Sequence, residues 1–284
     1  MDIAVTRNLF LRQCDRQYRY ILVVYLDVRP GSDIFYRGKL ALANYICYHF
    51  FIRKVLYMDQ RKNEIKSAYK SLGKTHSLYD GMMTGSTVLG KLILKAVWQM
   101  DKEDALEYQA RAFEMLASDF KGKLLEVPVG TGVLSMPIWK TLSEADITCL
   151  DYSEKMMESA SQRAREMGIN NVSFKQGDVG KLPYEDNTFD VVVSLNGFHA
   201  FPDKEAAYKE TFRVLKPGGV FTGCFYVEGS NTHTDKMIER FYIKSGFFTR
   251  PFETVESLRD RLKGMYSDVT VTNVKSIAVF QCTK

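Results

Sequence analysis

Between Lys123 and Tyr226 short apolar runs alternate with segments of helical spacing, and this alternation constrains the fold more than any other feature. Leu124–Val127 is an apolar run. Gly130-Thr131-Gly132 forms a turn after it, and Val133–Leu142 has helical spacing. Ile147–Leu150 is a second run ending at Asp151, followed by a helix over Ser153–Met167. Val172–Lys175 leads to Gly177-Asp178. Phe189–Leu195 (FDVVVSL) is continuous and β-branched, as a strand covered on both faces should be. A helix over Lys204–Val214 stops at Lys216-Pro-Gly-Gly219, and Val220–Tyr226 is a fifth strand. Strands and helices in strict alternation imply a parallel, doubly wound sheet.

The chain ends differently. After helices near Thr234–Lys244 and Val255–Lys263 come two β-rich stretches, Val269–Thr272 and Ser276–Cys282, joined by almost nothing. So short a link permits only an antiparallel hairpin. The expected fold is therefore α/β and Rossmann-like. It has a mostly parallel seven-stranded sheet, a C-terminal antiparallel hairpin strand and N-terminal helices. Residues 59–118 read as helical, with helices over Glu64–Ser71, Val88–Met100 and Glu103–Ser118 and a glycine-rich turn at Tyr79–Ser86.

Charge divides the chain at about residue 57. Residues 1–57 hold nine Lys/Arg, four Asp, no Glu and eleven Phe/Tyr, which accounts for the whole net charge of +5. The remainder is neutral and offers no electrostatic footprint for a nucleic-acid backbone. Three readings fit residues 1–57: an upstream region joined by a mis-assigned start, an extra subdomain, or a basic aromatic arm for a membrane surface or partner. The rest divides into a helical cap (58–122), a cofactor-binding core (123–228) and a variable segment with the terminal hairpin (229–284).

Five cysteines, Cys14, Cys47, Cys149, Cys224 and Cys282, fit neither a disulfide framework nor a zinc site, so no metal is expected. They read as buried hydrophobes of a reducing cytoplasm. The longest apolar run, Leu40–Ile52, is too short to span a bilayer, so no transmembrane segment is expected. Charged residues from Arg7 to Arg19 break up any signal peptide.

A glycine turn between strand and helix lets backbone approach a ligand. Alone it is weak. Asp151, 19 residues after Gly132 at a strand end, strengthens it, because a carboxylate there can accept from both hydroxyls of an adenosine ribose. Asp151 or Ser153 can equally cap the next helix. Glu126, just before the turn, separates two adenosine cofactors. A carboxylate there penalises a dinucleotide pyrophosphate and favours the cationic S-adenosylmethionine. The third glycine of GxGxxG is also absent, with Ser135 in its place. Asp178 can accept from an adenine amino group, and the Val179 backbone can donate to the ring.

These residues together carry a family resemblance. Leu124–Tyr226 resembles the class I S-adenosylmethionine-dependent methyltransferases, specifically the type 11, ubiquinone/menaquinone-biosynthesis-like small-molecule branch. The matching pieces are Glu126–Gly132, Leu150–Ser153 with Met156, Gln176-Gly-Asp178, Leu182-Pro183, Phe189-Asp190, Asn196–His199 and Arg213–Gly219, in family order. The resemblance implies that Glu126, Val129, Gly130, Thr131 and Gly132 hold the methionine end. It implies that Asp151, Tyr152 and Met156 hold the ribose side, Asp178 and Val179 the adenine, and Leu195 and Asn196 the sulfonium region. Tyr79 resembles a tyrosine that covers the cofactor. One departure is Pro128, where the family has glycine. Proline fixes φ and removes an N–H.

The implied activity is methyl transfer to a small-molecule acceptor by in-line displacement, in which positioning supplies much of the rate. His199, just past the fourth strand, is the candidate base or acceptor partner. His76 and His233 are weaker candidates. Phe241, Tyr242, Phe247, Phe248 and Phe252 suggest an aromatic wall for a hydrophobic or aromatic acceptor; the same residues could simply pack helices onto the sheet. The alternatives are an NAD(P)-dependent oxidoreductase and a non-catalytic adenosyl-binding protein. The sequence leaves open the acceptor, the atom methylated and the oligomeric state.

Overall fold

Phe189–Leu195 (β6) lies in the middle of a seven-stranded sheet in the computed structural model, with six of its seven residues, all but Asp190, buried. The structure describes residues 10–14, 19–23, 53, 56–65, 67–68 and 76–284. The chain divides into two units, Met1–Asp59 and Gln60–Lys284. In the first, strands β1 (Phe10–Cys14) and β2 (Arg19–Val23) pair antiparallel. The apolar run Leu40–Ile52, Cys47 and the end of the expected Glu64–Ser71 helix lie outside the described residues.

The second unit begins with helical residues 60–65 (α1). It continues through α2 (His76–Thr84), α3 (Val88–Ile93), a π-helical turn (Leu94–Trp98) and α4 (Lys102–Phe113). The sheet helices are α5 (Met136–Trp139), α6 (Glu154–Glu166), α7 (Lys204–Val214) and α9 (Val255–Lys263). Between α7 and α9 lie α8 (Thr232–Met237) and a second π-helical turn (Ile238–Ile243). The other strands are β3 (Lys123–Glu126), β4 (Asp146–Asp151), β5 (Val172–Gln176), β7 (Leu215–Tyr226), β8 (Asp268–Val274) and β9 (Ile277–Thr283).

The strand order is β5-β4-β3-β6-β7-β9-β8. All neighbours from β5 to β7 pair parallel, while β9 runs antiparallel to both β7 and β8. The terminal hairpin thus inserts β9 against β7. Side-chain alternation in the sheet builds two cores. Leu124, Val191 and Val193 face one layer, with Ala105, Trp139 and Ala160 packed on it. Leu125 and Val192 face the other, with Tyr208, Leu258 and Leu262. Cys149, Cys224 and Cys282 are buried free thiols. Among the described residues, no helix is long and apolar enough to cross a membrane.

Three local expectations fail for physical reasons. The stretch Tyr79–Ser86, expected as a turn, is helical through Thr84. Gly85, with φ of 61°, turns the chain after the helix, while Gly81 serves packing: a Cβ on Gly90 would lie 1.8 Å from the Gly81 carbonyl oxygen, so Gly90 lets α2 and α3 touch backbone to backbone. The helix expected over Val133–Leu142 shrinks to Met136–Trp139. Pro137 has no N–H for the Val133 carbonyl, so α5 can start only beside it. Strand β7 begins at Leu215, not Val220. The register jumps from Phe189–Leu215 to Val191–Val220, and Lys216–Gly219 bulge out between them.

Candidate functional site

The carboxyl ends of β3, β4 and β6 open into one cleft of about 1020 Å³, which is continuous with solvent. Ligands of open α/β sheets bind at this edge. All thirteen residues that the sequence assigns to a cofactor line it: Tyr79, Glu126, Val129, Gly130, Thr131, Gly132, Asp151, Tyr152, Met156, Asp178, Val179, Leu195 and Asn196.

Glu126 ends β3 and is fully buried. Its Oε2 accepts from Trp139 Nε1 at 2.7 Å and from the Cys149 thiol at 3.4 Å. Burial pushes its pKa up to about 7, against the pull of these bonds. Asp151 ends β4. Its Oδ2 accepts from the Gly130 N–H at 2.9 Å and its Oδ1 from the Ser153 N–H at 2.8 Å. Burial raises it to about 6. Ser153 is the N-cap of α6, so Asp151 shapes both the glycine loop and the helix entry.

Gly130 and Gly132 have φ of 57° and 69°, in the left-handed region. A Cβ on Gly130 would meet nothing within 4 Å, so the loop presents bare backbone to open space. Pro128 joins the same wall through a cis bond after Val127. Gly197 accommodates it, since a Cβ there would lie 2.4 Å from the Pro128 ring.

Two contacts over the cleft were not legible in the sequence. Asp80, at the middle of α2, accepts from the Thr131 hydroxyl at 2.6 Å and pairs with Arg163 of α6. Arg163 also donates to the Thr131 carbonyl at 3.1 Å. Lys62 of α1 pairs with Asp178, whose other oxygen accepts from the Gly180 N–H at 2.9 Å. Lys62, Met83, Ala200, Phe201 and Pro202 join the lining as residues no motif had marked.

A second cavity, about 1070 Å³ when its space open to solvent is counted, shares Tyr79, Met83 and Asn196 with the first. Phe241, Tyr242, Phe247 and Phe248 line it, together with Trp98, Tyr108 and His199. Phe252 does not. It packs edge-on against Tyr226, with ring centroids 5.2 Å apart. Asn196 takes a φ of 53°, and its buried Nδ2 has no hydrogen-bond partner among the described residues. Such an orphaned donor at the junction of two cavities calls for a ligand acceptor.

His199 is buried, and its ring stacks on Phe248 with centroids 3.9 Å apart. Its Nδ1 accepts from the Tyr226 N–H at 3.1 Å, which leaves the ring proton on Nε2. Burial, with the Lys204 charge adding to it, drives its pKa down to about 3. His233 is structural, holding the Ala96 carbonyl at 2.7 Å, and His76 opens α2.

Residues 119–245 match the family model described as "Methyltransferase domain". The chain is 30% identical over 169 residues to a demethylmenaquinone methyltransferase of Staphylococcus haemolyticus, covering 54% of this chain and 70% of that one. The counterpart from Staphylococcus aureus is 31% identical, over 54% and 69%. Two solved structures share the fold. The [4+2]-cyclase SpnF has a TM-score of 0.59 at 18% identity, over 78% of this chain and 96% of that one. A Haemonchus contortus phosphoethanolamine N-methyltransferase, complexed with phosphomonomethylethanolamine and S-adenosylhomocysteine, has 0.55 at 15%, over 69% and 57%. By the family match, the relatives and the sheet, the chain belongs to the class I S-adenosylmethionine-dependent methyltransferases, in the ubiquinone/menaquinone-biosynthesis-like branch that acts on small-molecule acceptors.

Proposed function

We propose that the cleft at Gly130–Gly132 holds S-adenosylmethionine and that the adjoining aromatic cavity holds a planar, apolar, ring-containing acceptor. The carrying observation is that Tyr79, Met83 and Asn196 belong to the walls of both cavities. A donor and an acceptor in these spaces would meet at Asn196.

The residues present suit the donor. Two buried carboxyls with raised pKa values, Glu126 and Asp151, favour a cationic ligand, whose charge would restore both to the ionised form. The bare loop at Gly130 gives backbone room, and Asn196 Nδ2 offers an unused donor. When bound, S-adenosylmethionine supplies an activated methyl group on a sulfonium. The chain supplies positions. Glu126, Val129, Gly130, Thr131 and Gly132 hold the methionine end, and Asp151, Tyr152 and Met156 the ribose side. Asp178 and Val179 hold the adenine, with Lys62 sharing the Asp178 carboxylate. Leu195, Asn196 and Tyr79 close the space where transfer occurs.

The acceptor reading rests on the ring-lined cavity and on relatives named for demethylmenaquinone. Rings stack well between such walls. His199 serves as a hydrogen-bond donor through Nε2–H to an acceptor oxygen. A general-base role needs a free lone pair on a ring nitrogen, and Nδ1 already spends its own on Tyr226. In-line transfer from an activated donor then depends on orientation and exclusion of water.

Calorimetry of the wild type and Asp151→Ala with S-adenosylmethionine and NADPH tests the donor. The wild type should bind the first alone, and Asp151→Ala should bind it at least tenfold more weakly, about the loss of one charged hydrogen bond. A wild type that binds no S-adenosylmethionine would sink the reading. Turnover with ring-bearing against aliphatic amine acceptors tests the second cavity.

A further inference from the structure

The helical run from Val88 to Trp98 buries one side and leaves the other apolar and in the open. Val88, Leu89 and Leu92 are 78%, 48% and 59% exposed. Soluble surfaces scatter such residues singly, and three on one short helix form a patch. From Gly81 to Met100 the chain has no acidic residue, and its two charges are Lys91 and Lys95. Both lysines lie on the exposed side.

A second helical run lies alongside. Thr234 donates to the Val97 carbonyl at 3.0 Å, His233 holds the Ala96 carbonyl, and Trp98 and Tyr242 meet edge-on at 5.9 Å. This run adds Phe241, 48% exposed, with Arg240 over its ring at 5.6 Å, and exposed Lys244. Lys91, Lys95, Arg240 and Lys244 have no carboxylate partner among the described residues. Phe241 also lines the aromatic cavity, so the cavity reaches the surface within this patch.

We propose that Val88, Leu89, Leu92 and Phe241, together with these four cations, dock on an anionic lipid surface and set the mouth of the aromatic cavity against the bilayer. Apolar side chains flanked by lysine and arginine are the pattern of interfacial helices, which combine apolar burial with attraction to anionic headgroups. A second copy of the chain would place like charges face to face. A bilayer supplies both an apolar interior for the leucines and phosphates for the cations. An acceptor with a long apolar tail could then enter the cavity without crossing water. The cavity's role as acceptor site belongs to the preceding proposal. Docking is measured without turnover, so either can fail alone.

The test is co-sedimentation of the full chain with vesicles of phosphatidylcholine alone or mixed with phosphatidylglycerol, at low and high salt. Binding should require phosphatidylglycerol and weaken with salt. Leu89→Asp with Leu92→Asp should abolish it, and Lys91→Glu with Lys95→Glu should weaken it about tenfold or more. Both variants should keep wild-type thermal unfolding and S-adenosylhomocysteine affinity, since none of these residues lines the cleft. Vesicle binding that persists unchanged in both variants would overturn the proposal. So would a dimer that Leu89→Asp with Leu92→Asp dissociates while vesicle binding is absent throughout.

Discussion

The Asp80 carboxylate accepts a 2.6 Å hydrogen bond from the Thr131 hydroxyl, and so helix α2 is fastened to the loop between the two cleft glycines. The same carboxylate pairs with Arg163, which in turn holds the Thr131 carbonyl. Tyr79 is the neighbour of Asp80 and lines both cavities. One acid thus fixes the loop, the helix and a shared wall.

Asp80→Ala should therefore act on ligand binding as well as stability. A hydrogen bond to a charged group contributes about 1.5–3 kcal/mol. If half of this is felt in the bound state, the dissociation constant of S-adenosylhomocysteine should rise about threefold to tenfold. Thr131→Val removes one hydroxyl and should have a smaller effect. Calorimetry on both single variants and the double should give a non-additive cycle, because the residues share one bond. Strict additivity would show that the contact does not operate in solution.

The parts of this site that the sequence reveals are those set by local chemistry. FDVVVSL is a doubly covered strand whatever surrounds it, and Glu126, Asp151 and Asp178 stand at strand ends where an α/β sheet binds ligands. The fastenings were illegible because they join distant segments. Asp80 and Arg163 are 83 residues apart, and Lys62 and Asp178 are 116 apart, with no motif linking either pair. Gly81 looks like a turn residue in sequence and Gly90 falls inside an expected helix, but here the pair marks where two helices touch. Of the aromatic wall, Phe252 turned away. Composition fixed that aromatics would cluster there, not which of them would face a cavity and which a neighbour.

The two loop glycines should respond differently to alanine. Gly130→Ala meets no atom and incurs only the left-handed backbone cost, about 1–2 kcal/mol. Gly132→Ala incurs that cost and also puts a Cβ 2.8 Å from Cγ of the fully buried Met136. Overpacking of this kind adds about 1–3 kcal/mol. Gly132→Ala should unfold at clearly lower temperature than Gly130→Ala by calorimetry, while Gly130→Ala shows the smaller thermal loss and loses donor affinity as its methyl enters the cleft. Equal thermal losses would contradict the account.

His199 should remain neutral throughout the working range. Its Nδ1 is an acceptor and burial holds its pKa near 3, so the imidazole carries one proton, on Nε2. Nitrogen-15 NMR should show an unprotonated Nδ1 and a protonated Nε2 from pH 5 to 9, on the scale where an ordinary histidine titrates near 6.5. The pH profile of kcat should lack a His199 inflection. A midpoint near 6.5 in either signal would restore the general base.

The donor's own pH dependence follows from Glu126 and Asp151. Their pKa values are raised to about 7 and about 6 from ordinary values of 4.5 and 3.8. A raised value means the folded state prefers the protonated acid. The stability these groups confer is full below about pH 4 and declines as pH climbs through 6 and 7. A cationic ligand reverses the preference, because it favours the ionised carboxylates that burial disfavours. Affinity for S-adenosylmethionine should therefore rise between pH 5 and 8 while the melting temperature of the free protein falls. Binding should release protons, so the measured enthalpy should vary with the ionisation enthalpy of the buffer. Glu126→Gln keeps an oxygen for Trp139 and removes the titrating group, and it should flatten the upper half of the affinity profile. A wild-type affinity that stays level from pH 5 to 8, with no buffer dependence, would mean that neither carboxyl ionises on binding and that the cleft does not recognise its ligand by charge.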